Sequence, residues 1–344
     1  MSTPRQDGLH MPAEWAEHAG CWMAWPINKT VWGARLDAAR DAYTEVAKAI
    51  AEFEPVTMIV APEHTASASM RCGKGCSMLT LTHDDSWTRD TGPTFVVDAA
   101  GNVAGVDWRF NAWGEKYPNY RHDAALAKRL LDQLGMRRYA PRLVMEGGAL
   151  HVDGEGTVLV TEQCLLNPNR NPRLDRAAIE KHLLDYLGAE KVIWLAGGLE
   201  DDETDGHVDN VACFVRPGVV LALTAAQGDG NHPMLKENLT RLRAASDARG
   251  RSLEVIEVAQ PAKRVREADG RRLPVSYVNF YLANGAVIAP LFDDSADGAA
   301  ITILKDAFPD RALRPIDALD IVFGGGGIHC ITQQQPAGPP LPPV

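Results

Sequence analysis

Near the end of the 344-residue chain, GGGGIHCITQQQ sets four consecutive glycines, Gly324 to Gly327, beside His329 and Cys330. A cysteine thiol attacks only as the thiolate, and most free cysteines are simply buried packing. The glycines change that reading. They weaken a core strand but let backbone approach a ligand closely, so Gly326 and Gly327 suit the wall of a pocket. Neighbours on a strand face opposite ways, which turns His329 from the thiol and makes it structural. A base must then come from elsewhere, and GHVDN offers one, because His207 and Asp209, two apart on a strand, share a face. Asp90 in WTRDTGP and Glu146 in LVMEGGAL add two more acids. Arg89 is placed to form a surface ion pair with Asp90. Glu146, alone among apolar residues and glycines, is costly to bury without a cationic partner. One thiol, one imidazole and three carboxylates together ask for a cationic substrate. A guanidinium fits: it is planar, permanently charged, and offers N–H forks that carboxylates accept in pairs.

Two other chemistries stay open on spacing alone. Asp201, Asp202, Asp205, His207 and Asp209 form a carboxylate-rich set that suits Mn or Mg, and Glu200 to Glu203 also fits a solvated acidic loop. A metal-dependent hydrolase and a non-catalytic binding protein are therefore carried as rival readings. RCGKGC holds two cysteines with no second ligand pair and reads as an exposed loop rather than a zinc site. Cys21, Cys164 and Cys213 lie among apolar residues and read as packing.

Composition bounds the setting for this chemistry. With 45% hydrophobic and 23% charged residues the chain reads as globular, and a formal charge of −10 disfavours nucleic acid while mildly favouring cationic ligands. No window approaches eighteen apolar residues, and the N-terminus lacks the layout of a secretory signal, so no membrane association is expected. Six scattered cysteines read as free thiols in a reducing compartment, and the expected location is cytoplasmic.

The elements that must position these residues repeat. TFVVDAAGNVAGVDW, ALHVDGEGTVLVTE, HVDNVACFVRPGVVLAL and SYVNFYLANGAVIAPLF each read as a hairpin with a Gly-containing turn. Helical periodicity runs from Ala34 to Glu54, Asp123 to Leu134, Leu174 to Leu187, Met234 to Ala248 and Ala299 to Phe308. Short strands VTMIV, KVIWL and LEVIEV follow three of these. The unit is strand, strand, helix, strand, present about five times. The first unit lacks part of its hairpin and GIHCIT stands alone at the end, so pairing that last strand with the first, near CWMAWP, closes five units into a ring without free edges. An open α/β sheet is the alternative. In a ring, the polar residues that precede each inner strand converge on one cavity.

The strings MPAEW, DSWTRDTGPTF, FNAWG, EGGALHVDGEGT, CLLNPNRNP, DETDGHVDN, SYVNFYLANG and GIHCITQQQP, between about Met11 and Pro336, resemble the agmatine deiminases of the guanidino-group-modifying superfamily. The resemblance implies a five-bladed pseudosymmetric α/β propeller (pentein) of ββαβ units over residues 11–336, between a flexible N-terminus (1–10) and a Pro-rich tail (337–344). It also implies hydrolysis of agmatine to N-carbamoylputrescine and ammonia in putrescine and polyamine biosynthesis. No metal and no organic cofactor are expected, and a homodimer or higher homo-oligomer is. Cys330 matches the family's nucleophile and His207 its general acid/base. Asp90, Glu146 and Asp209 match the acids that hold the guanidinium, and Trp87 a pocket tryptophan. Trp113 is a further candidate for cation–π contact. Gly327 departs from the family pattern, which has asparagine there, so a polar contact is expected to be lost. The segment after FNAWG is shorter than usual, which puts the rim between Trp113 and Tyr120 in question. A deiminase acting on free or peptidyl arginine is the nearest rival, with Arg89, Arg109 and Arg121 as candidate partners for an α-carboxylate.

Overall fold

A computed structural model of the chain describes residues 2–266 and 269–343. Four of its five sheets repeat one plan, an antiparallel pair followed through a helix by a parallel third strand. In chain order they are Thr94–Val97, Val103–Val106 and Arg138–Tyr139; then His151–Val152, Thr157–Thr161 and Lys191–Leu195; then Ala212–Arg216, Val219–Thr224 and Glu254–Ala259; then Tyr281–Ala283, Ala286–Leu291 and Ala312–Asp317. Two of the hairpin turns place Gly218 and Gly285 at φ 77° and 82°, a region that costs glycine little. The connecting helices are Leu126–Leu134, Arg176–Leu187, His232–Ala244 and Asp297–Ala307.

The fifth sheet joins the two ends of the chain. Gln333–Pro336 pairs antiparallel with His18–Ala24, Cys21 opposite Gln334 and Trp22 opposite Gln333, and Val56–Val60 and Cys76–Thr80 extend the sheet beyond them. The helix Leu36–Ala51 crosses this sheet with Ala39, Tyr43, Val46 and Ile50 buried, at the three- and four-residue spacing of an apolar face. Inner strands of neighbouring sheets touch, Gln333–Pro336 beside Thr94–Val97 and His151–Val152 beside Ala212–Arg216. The fold is the five-unit α/β propeller.

Four local readings are corrected. The expected strand GIHCIT is a turn through Ile328–Ile331, and the pairing strand begins three residues after Cys330. His207 and Asp209 are not on a strand either: His207 precedes a single 3-10 turn, Val208–Asn210. RCGKGC ends a helix at Cys72 and starts a strand at Cys76, with Cys72 buried. The N-terminus is not loose over residues 2–10. Leu9 is buried among Val96, Val152 and Leu187, and backbone bonds tie Arg5 to Asp185 and His10 to Val97. Burying one leucine and satisfying two backbone donors is what holds such a segment down. The tail is extended and docked: Pro339 O accepts from Val103 N at 2.8 Å, Leu341 N donates to Val103 O at 2.7 Å and Leu341 O accepts from Arg137 N at 2.6 Å. Prolines lack a donor but keep the carbonyl, so an edge position suits them.

Candidate active site

The thiol of Cys330 lines a narrow cleft, with Gly324, Gly325 and Gly326 along one wall. Glycine is required at Gly326 by approach, since a Cβ there would stand 2.6 Å from the Trp87 ring and 3.0 Å from Cys330 Cβ. Trp87 stacks on Trp32, ring centroids 5.6 Å apart, and forms the adjoining wall. Gly327 does not line the cleft; it packs against Asn279.

Asp90 sits in the short helix Thr88–Thr91, which is stitched to the cysteine turn. Arg89 N donates to Cys330 O at 3.2 Å and Thr88 Oγ1 to Ile331 O at 2.7 Å. Asp90 accepts from Gly148 N at 2.9 Å and from Trp113 Nε1 at 2.9 Å. The rim segment that carries Trp113 is strained, with Ala112, Trp113 and Glu115 all at φ between 53° and 63°. Such backbone is sparsely populated by L-residues and is kept here by surrounding contacts, Asn111 Oδ1 accepting from Gly114 N among them.

Gly148 shows how closely the charged groups converge. A Cβ on it would fall 2.5 Å from His207 Nδ1, 2.9 Å from Asp209 Oδ2 and 3.0 Å from Asp90 Oδ1. Three groups from the segments leading into two different sheets thus face one point. Asp209 Oδ2 is also 3.5 Å from Cys330 Sγ. Glu146 stands behind, its Oε2 3.5 Å from His207 Nε2. Asp209 Oδ1, Glu146 Oε2 and both ring nitrogens of His207 are buried with no hydrogen-bond partner among the described residues. Buried polar atoms are rarely left so, and a cluster of them aimed together marks a ligand position. All five expected residues, Cys330, His207, Asp90, Glu146 and Asp209, are brought together, with Trp87 and Trp113 beside them.

Charge is distributed unevenly over this cluster. Burial raises the Asp90 carboxyl, helped by Asp209 and Glu146, and His207 only partly opposes it. Burial acts the same way on Asp209 and Glu146 but is outweighed, at Asp209 by the His329 hydrogen bond and charge and at Glu146 by Arg170 and His207, so both lie below the ordinary carboxylate range. The imidazole of His207 would lose its proton on burial, yet Asp90, Cys164 and Glu146 hold it well above the usual histidine range. The Cys330 thiol is pushed well up by burial and by Asp209 and Asp90. Burial and the neighbouring charges thus favour a protonated His207 and disfavour a thiolate at Cys330.

Residues beyond the sequence expectations complete the cluster. The cation Glu146 needed is Arg170, from CLLNPNRNP, whose Nε donates to Glu146 Oε1 at 2.7 Å while its Nη atoms reach Asn169, Thr204 and Asp205. Glu14, from MPAEW, lies 2.8 Å from His329 Nε2 and 3.4 Å from Arg89 Nη1. His329 is more than structural: its Nδ1 meets Asp209 Oδ2 at 2.9 Å, the oxygen that lies 3.5 Å from Cys330 Sγ, so it supports the site directly. Arg89 and Asp90 are buried and part company, which removes the surface pair. The only sequence signals for Arg170 and Glu14 were a lone charge beside helix-breaking or apolar residues.

The acidic run does not assemble a metal site. Asp205 pairs with Lys116 and Arg170, Asp201 Oδ2 accepts from Arg272 N, and Asp202 accepts from Thr204. Among the described residues the group spaced to share an ion is Glu146, Cys164 and His207, where Arg170 already meets the carboxylate. Of the three arginines considered for an α-carboxylate, Arg89 is buried behind the site on Glu14, and Arg109 and Arg121 are exposed and line no part of the cleft.

Comparison with known proteins adds independent findings. The sequence profile of the Porphyromonas-type peptidyl-arginine deiminases matches residues 10–336. A Legionella pneumophila protein is 49% identical over 339 residues, 97% of each chain, and the agmatine deiminase of Ectopseudomonas mendocina is 46% identical over 359 residues, 98% of each. Among solved structures, the agmatine deiminase of Enterococcus faecalis superposes with a TM-score of 0.95 at 36% identity, over 98% of each chain. Fold, convergent acids and thiol, and similarity along nearly the whole sequence agree: this chain belongs to the Porphyromonas-type peptidyl-arginine deiminase family.

Proposed function

We propose that the protein hydrolyses agmatine to N-carbamoylputrescine and ammonia, through a covalent intermediate on Cys330. The observation that carries this reading is the meeting of Asp90, Asp209 and His207 at one point beside the Cys330 sulfur. Asp90 and Asp209 accept the guanidinium N–H donors and present its central carbon to the thiol. The bound cation offsets the carboxylates that oppose ionisation, so the thiol releases its proton to solvent and the thiolate forms when substrate arrives. Sulfur adds to the carbon and gives a neutral tetrahedral adduct. Protonated His207 passes its proton to the amino group, the C–N bond breaks, and ammonia leaves a cationic S-alkylthiouronium. Neutral His207 then takes a proton from water as its oxygen adds. Collapse breaks the C–S bond, returns the thiolate and releases the carbamoyl product, the remaining proton going to ammonia. Glu146, fixed by Arg170, orients His207.

Substrate preference follows from the rest of the cleft. Its lining includes the acids Asp90 and Glu203 and, among the described residues, no basic side chain. Glu203 and Tyr117, hydrogen-bonded to each other, stand with Trp113 toward the mouth, where a distal ammonium would lie. Glu203 Oε1 also accepts from Arg271 at 2.6 Å and Arg266 at 3.2 Å, so discrimination against the α-carboxylate of arginine rests on the lack of a basic side chain lining the cleft among the described residues. Supplying N-carbamoylputrescine to putrescine synthesis in the cytoplasm, by a homo-oligomer, is the setting this activity suits. Ammonia release from agmatine, arginine and peptidyl arginine tests the reading, each with and without a thiol alkylator. Alkylator-sensitive release from agmatine alone is expected; comparable release from arginine would overturn the preference.

A further inference from the structure

The mechanism leaves one step unsupported. In the free site the carboxylates Asp209 and Asp90 both oppose a thiolate at Cys330. Something in the protein must favour the ionised form enough for the incoming cation to complete it.

Asn279 is the side chain placed to do this. It lies between Val278 and Phe280 just before the inner strand Tyr281–Ala283, is 1% exposed, and puts Nδ2 3.4 Å from Cys330 Sγ. Its amide orientation is fixed from both ends. Oδ1 accepts from the backbone N–H of His329 at 3.0 Å, which can only be an acceptor's place. Nδ2 faces Asp209 O at 3.3 Å and Asn210 Oδ1 at 3.0 Å, and Asn210 is oriented in turn by Asp202. The two N–H bonds of Nδ2 are thus shared among Asn210 Oδ1, Asp209 O and Cys330 Sγ, and a charged sulfur is the strongest of these acceptors. The residue at 327 has to be small for this to hold, because a Cβ on Gly327 would lie 2.3 Å from Asn279 Oδ1 and 2.8 Å from its Cγ. In this chain Gly327 leaves the space that the Asn279 amide occupies beside the thiol.

From this geometry we infer that Asn279 is a further catalytic residue, whose amide N–H donates to the Cys330 thiolate and stabilises it through attack and departure, with Gly327 as the gap that admits it. The inference rests on the deiminase reading above. Preorganised donors act on developing or localised negative charge without the reorganisation water would need. A neutral thiol can instead donate to Asp209 Oδ2 at 3.5 Å or Asn279 Oδ1 at 3.6 Å, so the same amide serves both protonation states. The titratable groups facing the sulfur are Asp209 from the 208–210 turn and Asp90 from the 88–91 helix. His207 stands across the guanidinium position, and Tyr43 of the first long helix is behind.

The test is the pH dependence of Cys330 alkylation by iodoacetamide in the absence of substrate, located by peptide mass mapping, together with kcat and KM for agmatine. N279D keeps the shape and replaces the donor with an acceptor. Alkylation at neutral pH should slow by about ten- to a hundredfold, the scale of a hydrogen bond to a charged group, with recovery at higher pH. Losses in kcat and kcat/KM should match, with KM little changed. G327A, which leaves Asn279 in the sequence but displaces its amide, should move both readouts the same way, and serves if N279D does not fold. Unchanged alkylation profiles in a folded variant would overturn the inference. Failure of the deiminase reading would look different: wild-type Cys330 would be alkylated without any loss of ammonia release.

Discussion

At the scale of single residues, the site depends on charges that are buried in compensated sets. Glu146 is wholly buried and Arg170 is its cation. Removing one partner of such a pair leaves an uncompensated charge, so R170M is expected to lower unfolding free energy by about 3 kcal/mol, and adding E146Q should recover part of that loss. Urea denaturation of the single and double variants measures it; additive losses would show that the pair is not coupled. A second chain of charge runs from Glu14 through His329 to Asp209. Burial and Arg89 work against the His329 proton, but Glu14 and Asp209 more than offset them, and that cation in turn holds Asp209 below the ordinary range. E14Q weakens the hold on the His329 proton, so the Asp209 carboxyl rises. Asp90, the raised carboxyl, sets the onset of the acid limb of kcat/KM, which steepens where Asp209 also protonates, and E14Q should bring that steepening to higher pH. A limb that stays in place would remove Glu14 from the account.

Short elements, rather than long ones, carry the catalytic groups. Asp90 lies in one helical turn, His207 and Asp209 at a 3-10 turn, Glu146 before another, and Cys330 in a turn preceding a strand. Gly148, in the 3-10 turn after Glu146, leaves the space into which three groups point. G148A fills that space with a methyl group and should cut kcat/KM by about a hundredfold or more, with circular dichroism unchanged. Activity near wild type would mean that the guanidinium lies elsewhere. These elements explain what was legible in the sequence. Hairpins and helices announce themselves by glycine turns and by apolar spacing, as in 212–224 and 36–51, and the closing pair of strands followed from two incomplete units. Turns have no such period. His207 and Asp209 were assigned to a strand from their two-residue spacing, yet they reach the same cavity because a 3-10 turn also exposes them together. Glu14, Arg170 and Asn279 come from segments 24 to 75 residues from the groups they serve in Arg89, Glu146 and Cys330, or from strings read without a role, and no local pattern reports such a contact.

For the molecule as a whole, ring closure is the condition that places Cys330. The last strand lies against the first, and a buried clasp secures the neighbouring sheet: Glu54 accepts from Tyr281 Oη at 2.6 Å and Asn284 N at 2.7 Å and faces His18 Nδ1 at 3.1 Å. Truncation after Thr332 removes the closing strand, bares an edge of His18–Ala24 and should yield insoluble protein. Truncation after Ala337 removes only the docked tail and should lower the melting midpoint while leaving kcat unchanged. A soluble, active product of the first truncation would show that closure is dispensable. The central claim is that this ring gathers carboxylates, an imidazole and a late thiol around one guanidinium carbon so that sulfur bonds to it. Rapid-quench intact-mass analysis during agmatine turnover tests this most directly. The account predicts a transient adduct with the mass of agmatine less ammonia, mapped to Cys330 and absent from C330A, which releases no ammonia; turnover by C330A, or an adduct on another residue, would contradict it.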